Sequence, residues 1–382
     1  MKHKILVGLI ASLATTAAFA QSNVTVYGLI DLSVNYTTNQ DAKGGAVWSL
    51  GDSNANGDGG QGALSGSRLG FKGEEDLGGG SKALFKMEAG ITANNGQSDQ
   101  QGQLFGRQAY VGLANKDMGQ LTFGRQYGTI TDVAFDFDPL GVGNYFANEW
   151  EVFLVGVRFD NSIVYENTWG PVKLHAQYSL GGQSGSTSIG DTVGFNLKYN
   201  QGPLGLAGGY QQSTDANSHK LTVATIDGTF NFGPATLFGN YYNVKSDSGF
   251  VKAGSLSGGA LANTSIFINN NVTVINGATT TTVATPDRKD DVWTLGLAYN
   301  FTPSDTVTVG YMDDQVSQAI IGDGSLKSFY ALWEHHLSKR TEVYLTADNA
   351  KVSGQMQNVF YTGVGAGQTN SSAFAAGMRV IF

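Results

Sequence analysis

The chain has 382 residues, a formal net charge of −8, 14% charged residues, 53 glycines, six prolines and no cysteine. This composition excludes a disulfide-stapled scaffold and a proline-rich low-complexity chain, and the acidity argues against nucleic acid as a partner. Twenty-one phenylalanines and sixteen tyrosines require an ordered architecture that can hold many rings.

At the start of the chain, Lys2 and Lys4 precede an apolar run from Ile5 to Ala14, and Ala18-Phe19-Ala20 offers small residues at the two positions a signal peptidase reads. Residues 1–20 are therefore expected to be a secretory signal, since the run is shorter than the ~20 apolar residues needed to span a bilayer. The mature chain, 21–382, carries a net charge of about −10 once Lys2 and Lys4 are removed. It has no linker and no compositional shift, so one domain is expected. No later segment approaches a transmembrane helix. An exported, helix-free and weakly charged chain points to an outer-membrane barrel.

From Val24 to Tyr36 one parity is apolar (Val24, Val26, Ile30, Leu32, Val34, Tyr36), and the other carries Thr25, Asp31, Ser33 and Asn35. That is a strand with one apolar and one polar face. The pattern recurs at Leu69/Phe71, at Val193 to Tyr199, at Trp293 to Tyr299, at Val307 to Tyr311 and at Phe374 to Phe382. A soluble sandwich also alternates, and three further features separate the two. Short turns (76–80, 115–119, 200–203, 301–304, 337–340) alternate with long polar connections, tyrosines gather near strand ends, and the last strand closes on Phe382. Backbone groups in lipid must all be paired, so the strands must close without edges. Roughly sixteen segments suit strands of about 9 to 11 residues, and a barrel of that size keeps an aqueous lumen.

Between Gly124 and Asp160 the alternation is interrupted by about thirty residues rich in acids, glycine and aromatics. Phe135, Phe137, Tyr145, Phe146, Trp150 and Phe153 gain nothing from water, so this loop (about 128–157) is expected to pack against the inner wall. The Asn/Thr/Gly/Ala-rich stretch 246–289 reads as an outer loop, with a hairpin at 266–275.

Several pieces resemble the Gram-negative general-diffusion porin family. They are Val26-Tyr27-Gly28, SRLGFKGEEDLGGG at 67–80, LFGRQAYVGL at 104–113, LTFGRQYG at 121–128, RFDNSIVYE at 158–166 and MRVIF at 378–382. The resemblance runs through the mature chain in family order. It implies an all-β, 16-stranded antiparallel transmembrane β-barrel, assembled as a homotrimer, whose third outer loop folds inward as a constriction. It further implies outer-membrane lipid and lipopolysaccharide as surroundings, the barrel-assembly machinery as a partner during biogenesis, and small hydrophilic solutes as cargo, with no cofactor. In place of the Pro-Glu-Phe-Gly-Gly loop tip of many members, this chain has Asp138-Pro139-Leu140-Gly141-Val142. That difference leaves the position of the second loop carboxylate open.

Alternation places Arg68 on the lumen side, where a guanidinium avoids the ~2–4 kcal/mol cost of facing lipid. The family pattern carries Arg107, Arg125 and Arg158 to the same wall. The inward loop supplies Asp136 and Asp138 opposite, with Asp132, Glu149 and Glu151 as further candidates, and Asp31 and Lys72 are expected elsewhere in the lumen. A basic wall facing an acidic loop sets up a transverse field that orients polar solutes. The expected function is passive diffusion of small hydrophilic solutes and ions with mild anion preference; the alternative is a substrate-specific channel for sugars or organic acids. No spacing of Ser, His and acids suggests a catalytic triad, so no enzyme is expected. Asp52-Ser-Asn54-Ala-Asn56-Gly57 starts like a calcium loop but has Ala63 at its twelfth position. His335-His336 lacks a completing ligand set, and Gly363 to Gly367 lacks the strand-to-helix setting of a phosphate loop.

Overall fold

The computed structural model describes residues 23–52, 63–100, 102–143, 154–251, 259–264, 266, 271–276, 279–284, 286–318, 322–358, 363–365 and 367–382. The expected leader at 1–20 lies outside them. So do Tyr145, Phe146, Glu149, Trp150, Glu151 and Phe153 of the stretch expected to fold inward, and 53–62 after Asp52.

Alternation with tight turns yields strands that pair with their successors. In chain order these are β1 (Asn23–Thr37), β2 (Val47–Gly51), β3 (Arg68–Gly78), β4 (Ser81–Thr92), β5 (Gln97–Ser98), β6 (Gln108–Asn115) and β7 (Gly119–Tyr127). A helix, α1 (Thr129–Phe137), precedes β8 (Arg158–Trp169), β9 (Val172–Ser179), β10 (Thr192–Gln201), β11 (Leu204–Thr214), β12 (Lys220–Phe232) and β13 (Ala235–Ser246). A separate hairpin of β14 (Asn271–Asn276) and β15 (Thr279–Ala284) comes next, later in the chain than the 266–275 expected from sequence. The chain then runs through β16 (Arg288–Thr302), β17 (Asp305–Ser317), β18 (Gly324–His336), β19 (Thr341–Gly354) and β20 (Asn370–Ile381).

Of the eighteen strands in the main sheet, β2 and β5 are short outgrowths, and the other sixteen are the staves of a closed antiparallel barrel. Closure joins β1 to β20, from Leu29 opposite Ile381 to Thr37 opposite Ala373. The Gly28 N–H donates to the Phe382 carbonyl at 2.9 Å, and the Phe382 N–H donates back at 3.0 Å. Such pairing removes every sheet edge that lipid could not solvate. Three of the tight turns share one device: Gly170, Gly202 and Gly233 lie at φ near +60° and each precedes a proline. Only glycine adopts that backbone without strain, and proline then fixes the return.

The outer face carries exposed apolar residues such as Val26, Phe195, Leu197, Ile226 and Leu295, while Asp31, Ser33, Asn35, Asn196 and Asp227 are buried on the inner face. The inner face is not uniformly polar, however. From β12 to β19 it bears Leu221, Val223, Tyr242, Val244, Val292, Met312, Val316, Leu326 and Val352, and onto these fold Leu154, Val155, Phe250, Leu261, Ile266 and Met356. The apolar core of this protein therefore sits inside the barrel. Each large side chain so buried contributes about 1.5–3 kcal/mol relative to exposure. Part of the segment expected as a free outer loop, Phe250 with 259–264 and Ile266, belongs to this core, because its few apolar residues find their only dry surface there.

The helix also departs from the helix-free reading. Its buried residues Ile130, Val133, Ala134 and Phe137 recur at helical spacing; the helix lies against β10 and β11, with Val133 and Phe137 on Ala207, while Ala134 packs on Val157. Glycines in the wall make the seat. A Cβ at Gly194 would approach Thr129 Oγ1 to 2.6 Å, one at Gly209 would approach Ile130 to 3.3 Å, and one at Gly296 would collide with the Pro139 ring.

Closure generates the first prediction. A Cβ on Gly28 would sit 2.5 Å from the Arg68 carbonyl and 2.6 Å from the Phe382 ring. Gly28→Val should therefore lower the yield of heat-modifiable barrel sharply. Phe382→Ala keeps the backbone pairs and loses about 1.5–3 kcal/mol of side-chain transfer energy, so it should lower the yield less. Gel mobility of unheated and boiled membrane samples checks this, and unchanged yield for Gly28→Val would contradict the closure geometry.

Candidate pore constriction

Helix α1 presents its acids to a wall of bases. The Lys198 ammonium, whose side chain is 2% exposed, lies 2.9 Å from the Asp132 carboxylate and 2.6 Å from that of Asp136. It also donates to the Asp132 carbonyl. The Asn196 amide donates to the Thr129 carbonyl at 2.9 Å and to Asp132 at 3.1 Å. On the neighbouring strands Lys173 pairs with Glu166 at 3.0 Å, and His175 Nδ1 lies 3.2 Å from Glu166. Burial alone would raise the Asp132 carboxyl, but Lys198, His175 and Lys173 hold it below the usual carboxylate range. As an acid in the first helical turn, Asp132 also complements the helix dipole. Asp132, Glu166 and His175 each bring one metal-ligating atom within 4.8 Å of the others. The Lys173 and Lys198 ammoniums already lie on the Asp132 and Glu166 oxygens, so this is an ion-pair cluster that latches α1 to β8, β9 and β10.

The basic side is a cluster around two tyrosines. Arg107 Nε donates to Glu88 at 2.8 Å, and Arg107 Nη2 donates to the Tyr127 hydroxyl at 2.9 Å. Arg158 Nη2 donates to that hydroxyl at 3.2 Å, and its guanidinium carbon lies 4.6 Å from the Tyr127 ring centre. Tyr27 donates to the other Glu88 oxygen at 2.7 Å, and the Lys72 and Lys86 ammoniums sit 5.4 and 5.6 Å from its ring centre. Arg68 Nε donates to the Gly66 carbonyl at 2.9 Å. Arg68 lies opposite Leu29 and Gly90, on the same parity as Lys72, whose partner on β4 is Lys86, while Glu88 stands opposite Gly70 between them. Phe135 of α1 meets Tyr127 edge-on at 4.7 Å.

The sequence-derived residues thus separate. Arg68, Arg107 and Arg158 converge, whereas Arg125 turns to other partners: the Gly106 carbonyl at 2.6 Å, Asp160 at 2.7 Å and the Asn263 carbonyl at 3.1 Å. Asp136 keeps a half-exposed side chain beside Lys198. Asp138 is 4% exposed and accepts the N–H groups of Leu140 at 3.1 Å and Val142 at 2.7 Å, so its carboxylate shapes the loop tip. Asp31 likewise holds a segment in place, accepting the Ser65 N–H and the Tyr344 hydroxyl, each at 2.7 Å. That segment buries Leu64 against Leu332 and Tyr344, where Leu140 of the inward loop joins it. Lys72 remains exposed on the inner wall.

Sequence reasoning missed Tyr127, Glu88, Lys86 and Lys198. Strand parity carries the last three: Glu88 and Lys86 alternate on β4, and Lys198 alternates with Asn196 on β10. Tyr127 adjoins a register shift between Gly124 and Gln126, which parity cannot follow. His335 and His336 each meet a single carboxylate, Asp305 at 2.8 Å and Glu342 at 3.1 Å.

Comparison with known proteins agrees with this architecture. The Gram-negative porin family model matches residues 8–355. An outer membrane porin protein of Bordetella pertussis is 32% identical across 57% of this chain and 61% of its own, so the match spans about three-fifths of that relative's length. Outer membrane porin protein 32 of Delftia acidovorans is 31% identical across 68% of this chain and 75% of its own. The solved anion-selective porin from Comamonas acidovorans superposes with a TM-score of 0.71 at 24% identity, over 95% of this chain and 100% of that one. A closed barrel of sixteen staves, with a family match reaching through nearly all of it, makes this chain a member of the Gram-negative porin family of the outer membrane.

Proposed function

We propose that this protein is a passive outer-membrane channel for small hydrophilic solutes and ions with a mild preference for anions. The observation that carries the reading is the convergence of Arg68, Arg107, Arg158, Lys72 and Lys86 around Tyr27 and Tyr127, with Glu88 as the carboxylate paired within the group. Opposite them, Asp136 is the loop carboxylate offered to the lumen, while Asp138 and Arg125 belong to the scaffold of the constriction. Ions crossing a narrow section respond to the local field rather than to the net charge of the chain, so an acidic protein can favour anions. Solutes move down their own gradients. The protein contributes only the hole, its water and its field. Residues 1–20 serve as the export signal in this reading.

Fixing the arginines is part of the chemistry. A loose guanidinium would pair with whichever carboxylate came near, whereas Glu88 and the Tyr127 hydroxyl hold Arg107 and Arg158 in one arrangement. At ~8 Å in water a unit charge alters the energy of a passing ion by about 0.5 kcal/mol. Arg68→Gln or Arg158→Gln should therefore lower the anion-to-cation permeability ratio roughly twofold or more, and Asp136→Asn should raise it. Reversal potentials in a salt gradient read this directly. Clear cation preference in the wild type, or no shift in any variant, would refute the assignment.

The latch should matter to steadiness rather than sign. Lys198→Met takes the nearest cation from Asp132, which keeps Asn196 at 3.1 Å and Lys173 at 4.0 Å, so the cost falls below the about 3–5 kcal/mol of a fully uncompensated buried pair, with less from the half-exposed Asp136 because water screens it. Single-channel records should become noisy while the barrel stays heat-modifiable. Because the folded Asp132 carboxyl is held below its unfolded range, its contribution is complete above about pH 4 and declines as pH falls through the folded value. Wild-type current should thus stay quiet at mild acidity and become noisy only in strong acid.

A homotrimer is the assembly this reading includes, supported by the trimer form of the solved Vibrio cholerae OmpT, a structural neighbour of this chain. Unheated samples in SDS should migrate as an oligomer and boiled samples as the monomer. One monomeric band under both conditions would contradict the trimer.

A further inference from the structure

The sixth long connection, between β13 and β16, brings a segment to the outer ends of β8 and β9. There the Ala260 N–H donates to the Leu180 carbonyl at 3.1 Å, at the end of β9, and the Asp160 N–H of β8 donates to the Ala260 carbonyl at 3.4 Å. Asn263 Nδ2 donates to Asp160 Oδ2 at 2.6 Å, and Arg125 binds both the other Asp160 oxygen and the Asn263 carbonyl. Ala260, Leu261 and Thr264 are fully buried. Leu261 and Ile266 share the interior core with Leu154 and Val155, on the limb by which the constriction loop returns to the wall. The backbone at Gly156 is so close that an added Cβ would stand 2.8 Å from Thr264 Oγ1 and 3.3 Å from Ile266.

We propose that residues 259–264 with Ile266 form a strap that holds down the return limb of the constriction loop, and that this strap, anchored by Arg125, Asp160 and Asn263, sets the solute size limit. The proposal rests on the diffusion-channel reading and deepens it. Strapped, the limb buries Leu154 and Val155 in the interior core. Released, it exposes them to water, and the loop is free to swing from its seat. Arg125 then acts as a positioning residue: its guanidinium is committed to Asp160, the Asn263 carbonyl and the Gly106 carbonyl, so its chief effect is on pore width.

Asn263→Asp sets a carboxylate against that of Asp160, which repels the strap without touching Arg68, Arg107, Arg158 or the seat of α1. It should roughly double single-channel conductance and raise the size limit for neutral sugars in liposome swelling, with little change in the ion permeability ratio. The chain has no cysteine, so Asp160→Cys combined with Asn263→Cys offers a single thiol pair. This double variant should conduct like Asn263→Asp when reduced and return toward wild type when joined by a short bis-methanethiosulfonate cross-linker, each end of which forms a disulfide with one cysteine and releases methanesulfinate. Conductance and size limit equal to wild type in Asn263→Asp and in both states of the double variant would overturn the strap. A changed permeability ratio at unchanged conductance would also overturn it, since that result makes the anchor part of the field. Absence of any conductance in the wild type would instead overturn the channel reading itself.

Discussion

The structure depends on one constraint: a backbone N–H or C=O in lipid finds no partner except another backbone group. Sixteen staves satisfy it by pairing each strand with its successor and the last with the first. Once the cylinder is closed, parity decides the rest of the wall. Val26, Phe195 and Ile226 face outward because Asp31, Asn196 and Asp227 cannot. The Gly-Pro turns hold the register at one end, which leaves the other end free to carry long connections.

Those connections do not fill the barrel evenly. From β12 to β19 the inner wall is apolar toward the outer mouth, and it is covered by parts of the third and sixth long connections together with Met356. The water-lined face is left to the strands that carry Arg68, Arg107 and Arg158. An apolar core therefore lies on one side of the barrel interior and a charged wall on the other. The core also supplies what polar loops alone could not: a dry surface on which an inward segment gains more from burial than it loses in conformational freedom.

The same charged contacts fix both the loop and the wall. Lys198 seats the helix and at the same time orients Asp136. Glu88 fixes Arg107 and tempers the charge that Arg107 adds to the wall. A substitution that neutralises one of these residues therefore changes shape and field together. Only a pair of measurements, one of conductance and one of selectivity, separates the two effects.

Sequence alone determined the barrel. Parity, short turns and a cysteine-free, weakly charged composition are local properties, and a closed cylinder is their one solution in lipid. It also determined that Arg68 faces the lumen, because one flanking apolar parity suffices for that. Tertiary structure decided the constriction. Asp136 and Asp138 are two acids two residues apart, with nothing local to separate them, yet one meets Lys198 from β10 and the other closes on the backbone of Leu140 and Val142. Arg107 and Arg125 sit in near-identical Phe-Gly-Arg-Gln contexts, and only the distant Asp160 and Asn263 draw the second away from the lumen cluster. The helix was half written in the spacing of Ile130, Val133, Ala134 and Phe137, but its place required Gly194, Gly209 and Gly296 to leave room on three different strands. Such choices rest on partners brought near by closure, and no window of neighbouring residues contains them.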